Sequence, residues 1–250
     1  MCTACLSRRR FLTGAAVLST TALAGCDGPP DLVSDAEVER MGLESWARIT
    51  AEQQPSRNRD YVAALNEVSS RLLAAAPNAD PSAWEFRVFA SPEANAFALP
   101  GGKIGVYEGM FEVTQNLDQL AAIVGHEIGH IDAEHGQERL SAQVAKQYSV
   151  RILAWLLQAG EVENAQDIAA ALGLGIEFGL LLPYSREHEL EADRLGLILM
   201  NAAGFDPREA VPLWQRMEAR SASRPPEFLA THPAPRSRIE AIEAMLPELT

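Results

Sequence analysis

The stretch LDQLAAIVGHEIGHID, residues 117–132, contains the pattern His-Glu-x-x-His inside an apolar run with helical periodicity. Residues four apart lie on one face of a helix, so His126 and His130 can both reach one zinc ion. Glu127 lies beside them and can reach a water bound to that ion. The stretch therefore predicts a metal site on a helix, whereas a solvated helix face is the simpler alternative.

Apolar surroundings, two glycines and the positions of the histidines weigh against a solvated face; all five histidines of the chain fall between 126 and 232. Asn116 followed by Gln119 is a capping-box start, which predicts that the helix begins here and runs through the apolar residues. An unpaired charge among those residues would be costly. Gly125 and Gly129 each cost about 1 kcal/mol relative to alanine in a helix, which indicates that something approaches the backbone closely.

Outward from this helix, the sequence predicts a mainly α protein with a small β-sheet, of class α+β. Trp84 to Ala90 alternates as a strand does, and a second extended stretch, Lys103 to Tyr107, follows Pro100-Gly101-Gly102. Apolar spacing predicts helices over residues 35–77, 138–159, 164–182, 186–202, 207–220 and 236–246. The segment 168–182 is short for a membrane span and contains Glu177, so a buried helix is favoured. We predict one domain, residues 36–250.

A catalytic zinc needs a third protein ligand, and the sequence offers two candidates. An extended motif would place histidine at position 136, but Gly136 stands there. His135 lies about half a turn off the ligand face of a continuing helix, which favours a place behind the ligands or at the surface.

The better candidate lies in SREHELEAD, residues 185–193. Glu189 and Asp193 share a helical face, so Glu189 could bind zinc while Asp193 accepts a hydrogen bond from a ligand imidazole. Glu191 points elsewhere. The alternative is a charged, solvated helix start, in which the glutamates interact with the helix dipole.

Charge and cysteine content exclude several classes of protein. The formal net charge of -13 argues against nucleic-acid binding. The cysteines are Cys2, Cys5 and Cys26, so residues 27–250 have no disulfide. A structural zinc site, which is usually rich in cysteine, is correspondingly disfavoured.

The amino-terminal residues have the pattern of an export signal. Paired arginines after Ser7 precede a short apolar stretch, which resembles a twin-arginine signal peptide over residues 1–25. Leu23-Ala24-Gly25-Cys26 resembles a bacterial lipobox, which predicts acylation of Cys26 and a tether over residues 26–35. Acyl chains would hold the protein on the periplasmic face of a bacterial membrane.

Four motifs in one order resemble the HtpX, OMA and CAAX-prenyl-protease family of zinc endopeptidases. They are HExxH, the Glu-x-x-x-Asp of SREHELEAD, NAFALPGG at 95–102 and THPAPRSRI at 231–239, and the likeness covers about residues 60–245. The resemblance implies a zincin-like domain with one zinc per chain. It implies the ligands His126, His130 and Glu189, Glu127 as general base, and Asp193 behind the ligands.

The same resemblance implies further roles. It implies that the strand after Pro100, with Gly102, Lys103, Ile104 and Gly105, pairs with substrate as an added strand. The histidine matching His232 lies near the metal in that family, where it stabilises the tetrahedral intermediate or closes the open position, and Arg238 holds its segment. We therefore expect an endopeptidase acting on misfolded or envelope proteins. The alternative is a latent metal-bound chaperone or assembly factor gated by His232.

Overall fold

The computed structural model describes residues 33–77, 80–142, 144, 184–221, 226–233 and 236–249. The strands are β1 Glu85–Phe89, β2 Ala96–Leu99 and β3 Lys103–Tyr107. The α-helices are α1 Asp35–Glu52, α2 Arg59–Ala75, α3 Glu108–Phe111, α4 Leu117–Asp132, α5 Arg186–Ala202, α6 Ala210–Ser221, α7 Phe228–Thr231 and α8 Arg236–Met245, and residues 135–142 are also helical. The α+β class predicted from the sequence is confirmed.

The sheet has the order β1-β3-β2, with β1 parallel and β2 antiparallel to β3. The two predicted strands are confirmed as β1 and β3. No sequence pattern indicated β2, because Ala-Phe-Ala-Leu shows no polar and apolar alternation. Gly101 and Gly102 both have positive φ, at 83° and 72°, which favours glycine in the turn from β2 to β3.

The two faces of the sheet pack against different helices. Val88, Ile104 and Val106 point into the main core, which α2 and α4 help to form. On the opposite face, Trp46 of α1 packs on the ring of Phe89, whose centroid lies 5.8 Å away, and Phe97 and Tyr107 join the same cluster. α1 therefore covers the outer face of the sheet.

Helices α4 and α5 pack closely because their contacting positions are small. A Cβ atom on Gly129 would lie 2.7 Å from the carbonyl oxygen of Ala192, and one on Gly196 would lie 2.8 Å from the amide nitrogen of His126. Gly125 faces Gly196 in the same way, at 3.2 Å from its carbonyl oxygen. The glycines of α4 predicted that something approaches the helix backbone closely, and the structure shows that it is a second helix, α5.

The capping box and most of the described helices follow the sequence. Asn116 Oδ1 accepts from the Gln119 amide at 2.8 Å, although Gln119 Oε1 accepts from Gln115 rather than from Asn116. The helix predicted from 207 starts with a 3₁₀ turn, Pro207–Glu209, before α6. The predicted helix 164–182 with its segment 168–182, the part of the helix predicted over 138–159 that follows residue 144, and residues 1–30 lie outside the described residues. Within the described part, no helix is long and apolar enough to cross a membrane.

Candidate metal centre

Four buried side chains from three parts of the chain meet at one point. They are His126 and His130 of α4, Glu189 of α5, and His232, which follows α7. One ligand atom from each lies within 4.8 Å of the others. The histidines of the motif thus lie beside the glutamate of SREHELEAD, and we call the four the metal centre.

His126 is oriented by a buried carboxylate. Its Nδ1 lies 3.0 Å from Asp193 Oδ1, so the imidazole donates from Nδ1 and its Nε2 lone pair faces the metal centre. Arg238, only 1% exposed, binds both oxygens of Asp193 and lies 3.9 Å over the ring of Trp214. The guanidinium also forms an ion pair with Glu189. Arg238 therefore provides one positive charge that Asp193 and Glu189 share, which lowers the cost of burying them.

His130 is oriented by a second chain of contacts. Its Nδ1 lies 2.9 Å from His135 Nδ1, and His135 Nε2 lies 3.3 Å from Glu191 Oε2. His135 is 1% exposed, so it lies behind a candidate ligand and not at the surface. It reaches that place because α4 ends at Asp132 and the chain turns at Glu134, which has a φ of 56°. Glu191 does point away from the metal centre, as expected, and contacts His135.

The facing atoms of the metal centre fit a divalent cation. His126 Nε2 and His130 Nε2 lie 3.0 Å apart, and Glu189 Oε1 lies 3.3 Å from His130 Nε2. Glu189 Oε1 and His232 Nε2 are buried without a hydrogen bond, and Glu189 Oε2 has the ion pair with Arg238. Two nitrogens bound to one tetrahedral zinc at about 2.0 Å lie roughly 3.3 Å apart. A cation would satisfy all of these acceptors together.

Burial shifts the pKa values of the histidines and glutamates of this site, and the shifts keep the imidazoles in the form that binds metal. It lowers the pKa of His126 to about 4 and also lowers those of His130 and His232, so these imidazoles are neutral at pH 7. Burial raises the pKa of Glu127 and of Glu189 to about 8, although Arg238 opposes the rise. Neutral imidazoles are the form that binds metal, and a bound cation would keep the carboxylates ionised.

Glu127 faces His232 across the metal centre. Glu127 Oε1 lies 3.6 Å from His232 Nε2 and has no hydrogen bond, while the backbone of Ala98 donates to the Glu127 carboxylate. The His232 ring stacks on Phe228, with 4.3 Å between centroids. Glu127 is therefore placed by β2, and His232 by the residues of α7.

Tyr184 is a neighbour of the metal centre that the sequence did not indicate. Its ring stacks on His130 at 3.9 Å between centroids, and its amide donates to the Thr231 carbonyl at 3.0 Å. Burial raises the pKa of Tyr184 to about 12, which keeps the phenol protonated. The one sequence feature that could have indicated Tyr184 is its position directly before Ser185, the N-cap of α5.

The prediction that residues 102–105 pair with substrate disagrees with the sheet topology. Lys103, Ile104 and Gly105 belong to β3, which is the central strand, and the carbonyl of Gly102 accepts from Glu85. No other strand in the described part of the chain pairs with the outer edge of β2. An added strand would therefore bind at β2. Cys26, the predicted lipidation site, lies outside the described residues.

Comparison with known proteins agrees with this geometry. The sequence profile described as Peptidase family M48 matches residues 59–246. The mitochondrial metalloendopeptidase OMA1 of Schizosaccharomyces pombe is 38% identical over 186 residues, which cover 74% of this chain and 52% of that protein. The corresponding protein of Arabidopsis thaliana is 28% identical over 234 residues, covering 93% of this chain and 46% of its own length.

A bacterial relative shows the same likeness. The beta-barrel assembly-enhancing protease of Escherichia coli K12 is 32% identical over 184 residues, which cover 70% of this chain and 37% of that protein. The chain thus spans about half the length of these relatives or less. Metallopeptidases of the matched family use zinc, and the metal centre could hold that ion. The match over residues 59–246 shows that the chain belongs to peptidase family M48.

Proposed function

We propose that this protein is a zinc metalloendopeptidase that cleaves misfolded or cell-envelope proteins. The observation that supports this most directly is the buried metal centre, whose unpaired donor atoms come from the HExxH helix and from α5. Two imidazoles and a glutamate are a ligand set of catalytic zinc sites, which keep one position open for water. His126, His130 and Glu189 are the proposed ligands.

The residues around the ion have separate tasks in this proposal. Zinc held by His126, His130 and Glu189 would activate a water and polarise the scissile carbonyl. Glu127, whose Oε1 is buried without a hydrogen bond, would accept a proton from the attacking water and return it to the leaving amine. Asp193 fixes the His126 tautomer, and Arg238 holds Asp193 in place.

Substrate would bind along the outer edge of β2 as an added strand. Because Tyr107 donates to Asn95 across the ladder, the alternation of antiparallel pairs directs the backbone groups of Ala96 and Ala98 to that edge. The Ala98 contact with Glu127 places this edge beside the general base. Main-chain recognition of this kind suits unfolded substrates, because it reads the backbone more than the sequence.

The proposed location is the periplasmic face of a bacterial membrane, with the protein anchored through lipid on Cys26. This rests on the paired arginines and the lipobox of the amino-terminal residues. Residues 1–25 would be the cleaved signal peptide, residues 26–35 a tether and residues 36–250 the peptidase domain. Mass spectrometry of the membrane fraction would detect acylated Cys26 at the mature amino terminus.

A second candidate function is a latent assembly factor or chaperone whose cleavage is gated by His232. It is favoured by one observation: His232 Nε2 is buried, has no hydrogen bond and belongs to the metal centre. As a fourth ligand, His232 would exclude the water from the metal, whereas as a hydrogen-bond donor it would stabilise the tetrahedral intermediate. Both roles require His232 Nε2 to face the metal centre.

Cleavage of casein by residues 27–250 tests the proposal. We expect chelator-sensitive cleavage, and we expect Glu127→Gln to lose at least about a hundredfold in rate while retaining zinc, because only the proton acceptor is removed. Glu218→Gln, an exposed change on α6, is the matched control and keeps its activity. Cleavage by Glu127→Gln at the wild-type rate would contradict the assignment. In the same assay, His232→Ala is faster if His232 is a gate and slower if it stabilises the intermediate.

A further inference from the structure

A cleft runs along the outer edge of β2 and passes the metal centre, whose His232 lines one of its cavities and whose His130 lines the other. The main cavity has a volume of about 470 Å³ and lies between α1 and β2. Ile49, Phe97 and Tyr107 make much of its wall apolar. We call this space the β2 cleft. It is the place where the proposed substrate strand would lie.

The charges along this cleft are sorted by sign. Arg48 and Arg139 line the main cavity, and no acidic residue lines it in the described part of the chain. This is unexpected in a protein with 34 acidic and 21 basic residues. Arg48 is exposed on α1, and the Arg139 guanidinium lies 4.2 Å over the ring of Tyr184.

The opposite end of the cleft is acidic. An adjoining cavity of about 200 Å³ continues past Ala98 to Gly101, and its charged lining residues are Asp35, Glu39 and Glu134. The two ends follow from the direction of α1. Near its start, Glu39 lies against the turn after β2, where a Cβ on Gly101 would be 3.4 Å from Glu39 Cγ, and its last turns lie beside Phe97.

The basic end also offers a buried hydrogen-bond acceptor. Asn95 lines the main cavity, and its Oδ1 is buried without a partner. A substrate N–H group entering the cleft would satisfy this oxygen, which is otherwise costly to bury. The acceptor and the arginines together favour a ligand that brings donor groups in its backbone and a carboxylate in its side chain.

We propose that the β2 cleft selects extended polypeptide segments in which a basic side chain precedes, and an acidic side chain follows, the apolar residue beside the metal centre. The order follows from antiparallel addition to β2, the pairing that is more stable per residue. Such a segment runs from the acidic end to the arginine end. Three of the charged residues, Asp35, Glu39 and Arg48, belong to α1, which precedes the residues that match the family profile. This inference rests on the proposed peptidase function.

Two quenched peptides of identical composition test the proposal. Both carry the same apolar core; one has lysine before it and glutamate after it, and the other has these exchanged. We expect kcat/KM to favour the lysine-first peptide roughly fivefold, since exposed ion pairs are each modest, and we expect the ratio to fall with added salt. Arg48→Glu should abolish or reverse the preference.

Arg57→Glu is the matched control, because Arg57 is exposed but does not line the cleft. It should keep the wild-type preference. Equal kcat/KM for the two peptides, a preference for the glutamate-first peptide, or an unchanged preference in Arg48→Glu would each overturn the proposal. These outcomes leave the peptidase assignment intact. Failure to cleave casein or either peptide would instead count against the peptidase itself.

Discussion

The metal centre depends on how each side chain is held from behind. Asp193 and Arg238 fix His126, whereas His135 and Glu191 fix His130, so each imidazole keeps one ring nitrogen directed at the centre. The spacing of HExxH indicates the two histidines, because four residues make about one helical turn. Nothing in that spacing indicates His135 or Tyr184, which arrive through a turn at Glu134 and a segment outside the helix.

The buried Glu127 carboxyl makes the metal-free protein sensitive to pH. Its pKa rises from 4.5 to about 8 on folding, so its stabilising contribution is full below pH 4.5 and is lost as pH rises towards 8. Metal-free Glu127→Gln escapes this loss. We expect its stability relative to wild type to grow by about 1.4 kcal/mol per pH unit across that window.

Thermal unfolding of the chelated proteins between pH 5 and pH 8 measures this difference. Glu218→Gln, an exposed change on α6, is the control and should follow wild type throughout. A constant gap between Glu127→Gln and wild type across the whole range would show that the carboxyl does not titrate in this way.

The helices could be predicted from the sequence more completely than the sheet. α4 and α5 have strong periodicity and clear N-caps, at Asn116 and Ser185, and both begin where expected. β2 was missed, and the substrate-binding role that the family resemblance implied was assigned to the strand that the structure shows to be central, β3. Strand order depends on contacts between distant residues, which local patterns do not record.

The close glycine contact between α4 and α5 places Glu189 beside the histidines. A larger side chain at this contact should therefore be destabilising. Gly129→Ala puts a Cβ 2.7 Å from the Ala192 carbonyl oxygen and should separate the helices. We expect a loss of about 1–3 kcal/mol in unfolding free energy, together with weaker zinc binding. Denaturant unfolding and zinc titration measure the two effects.

Gly136→Ala provides the matched control for that change. A Cβ there would meet only Pro100, at an ordinary 3.5 Å, so alanine should be neutral or slightly stabilising in this helical segment. If Gly129→Ala were as stable and bound zinc as tightly as Gly136→Ala, the close packing would not position Glu189.

At the scale of the whole molecule, the fold joins distant segments around one buried centre. The HExxH histidines, Glu189 and His232 are separated by a long stretch of chain, yet their ligand atoms lie within 4.8 Å of one another. α1 covers the outer face of the sheet and lines the cleft beside that centre. The sequence motifs indicated which residues would form the metal centre. They did not indicate the separation of acidic and basic residues along the β2 cleft, because that separation depends on how α1 packs.

Zinc content tests the central claim, which is that these side chains form one metal centre. After equilibrium dialysis against limiting zinc, we expect about one zinc per chain in wild type and in the exposed control Glu218→Gln. His130→Ala and Glu189→Gln should retain little zinc while remaining folded by circular dichroism. Zinc bound by folded Glu189→Gln as tightly as by wild type would contradict the account.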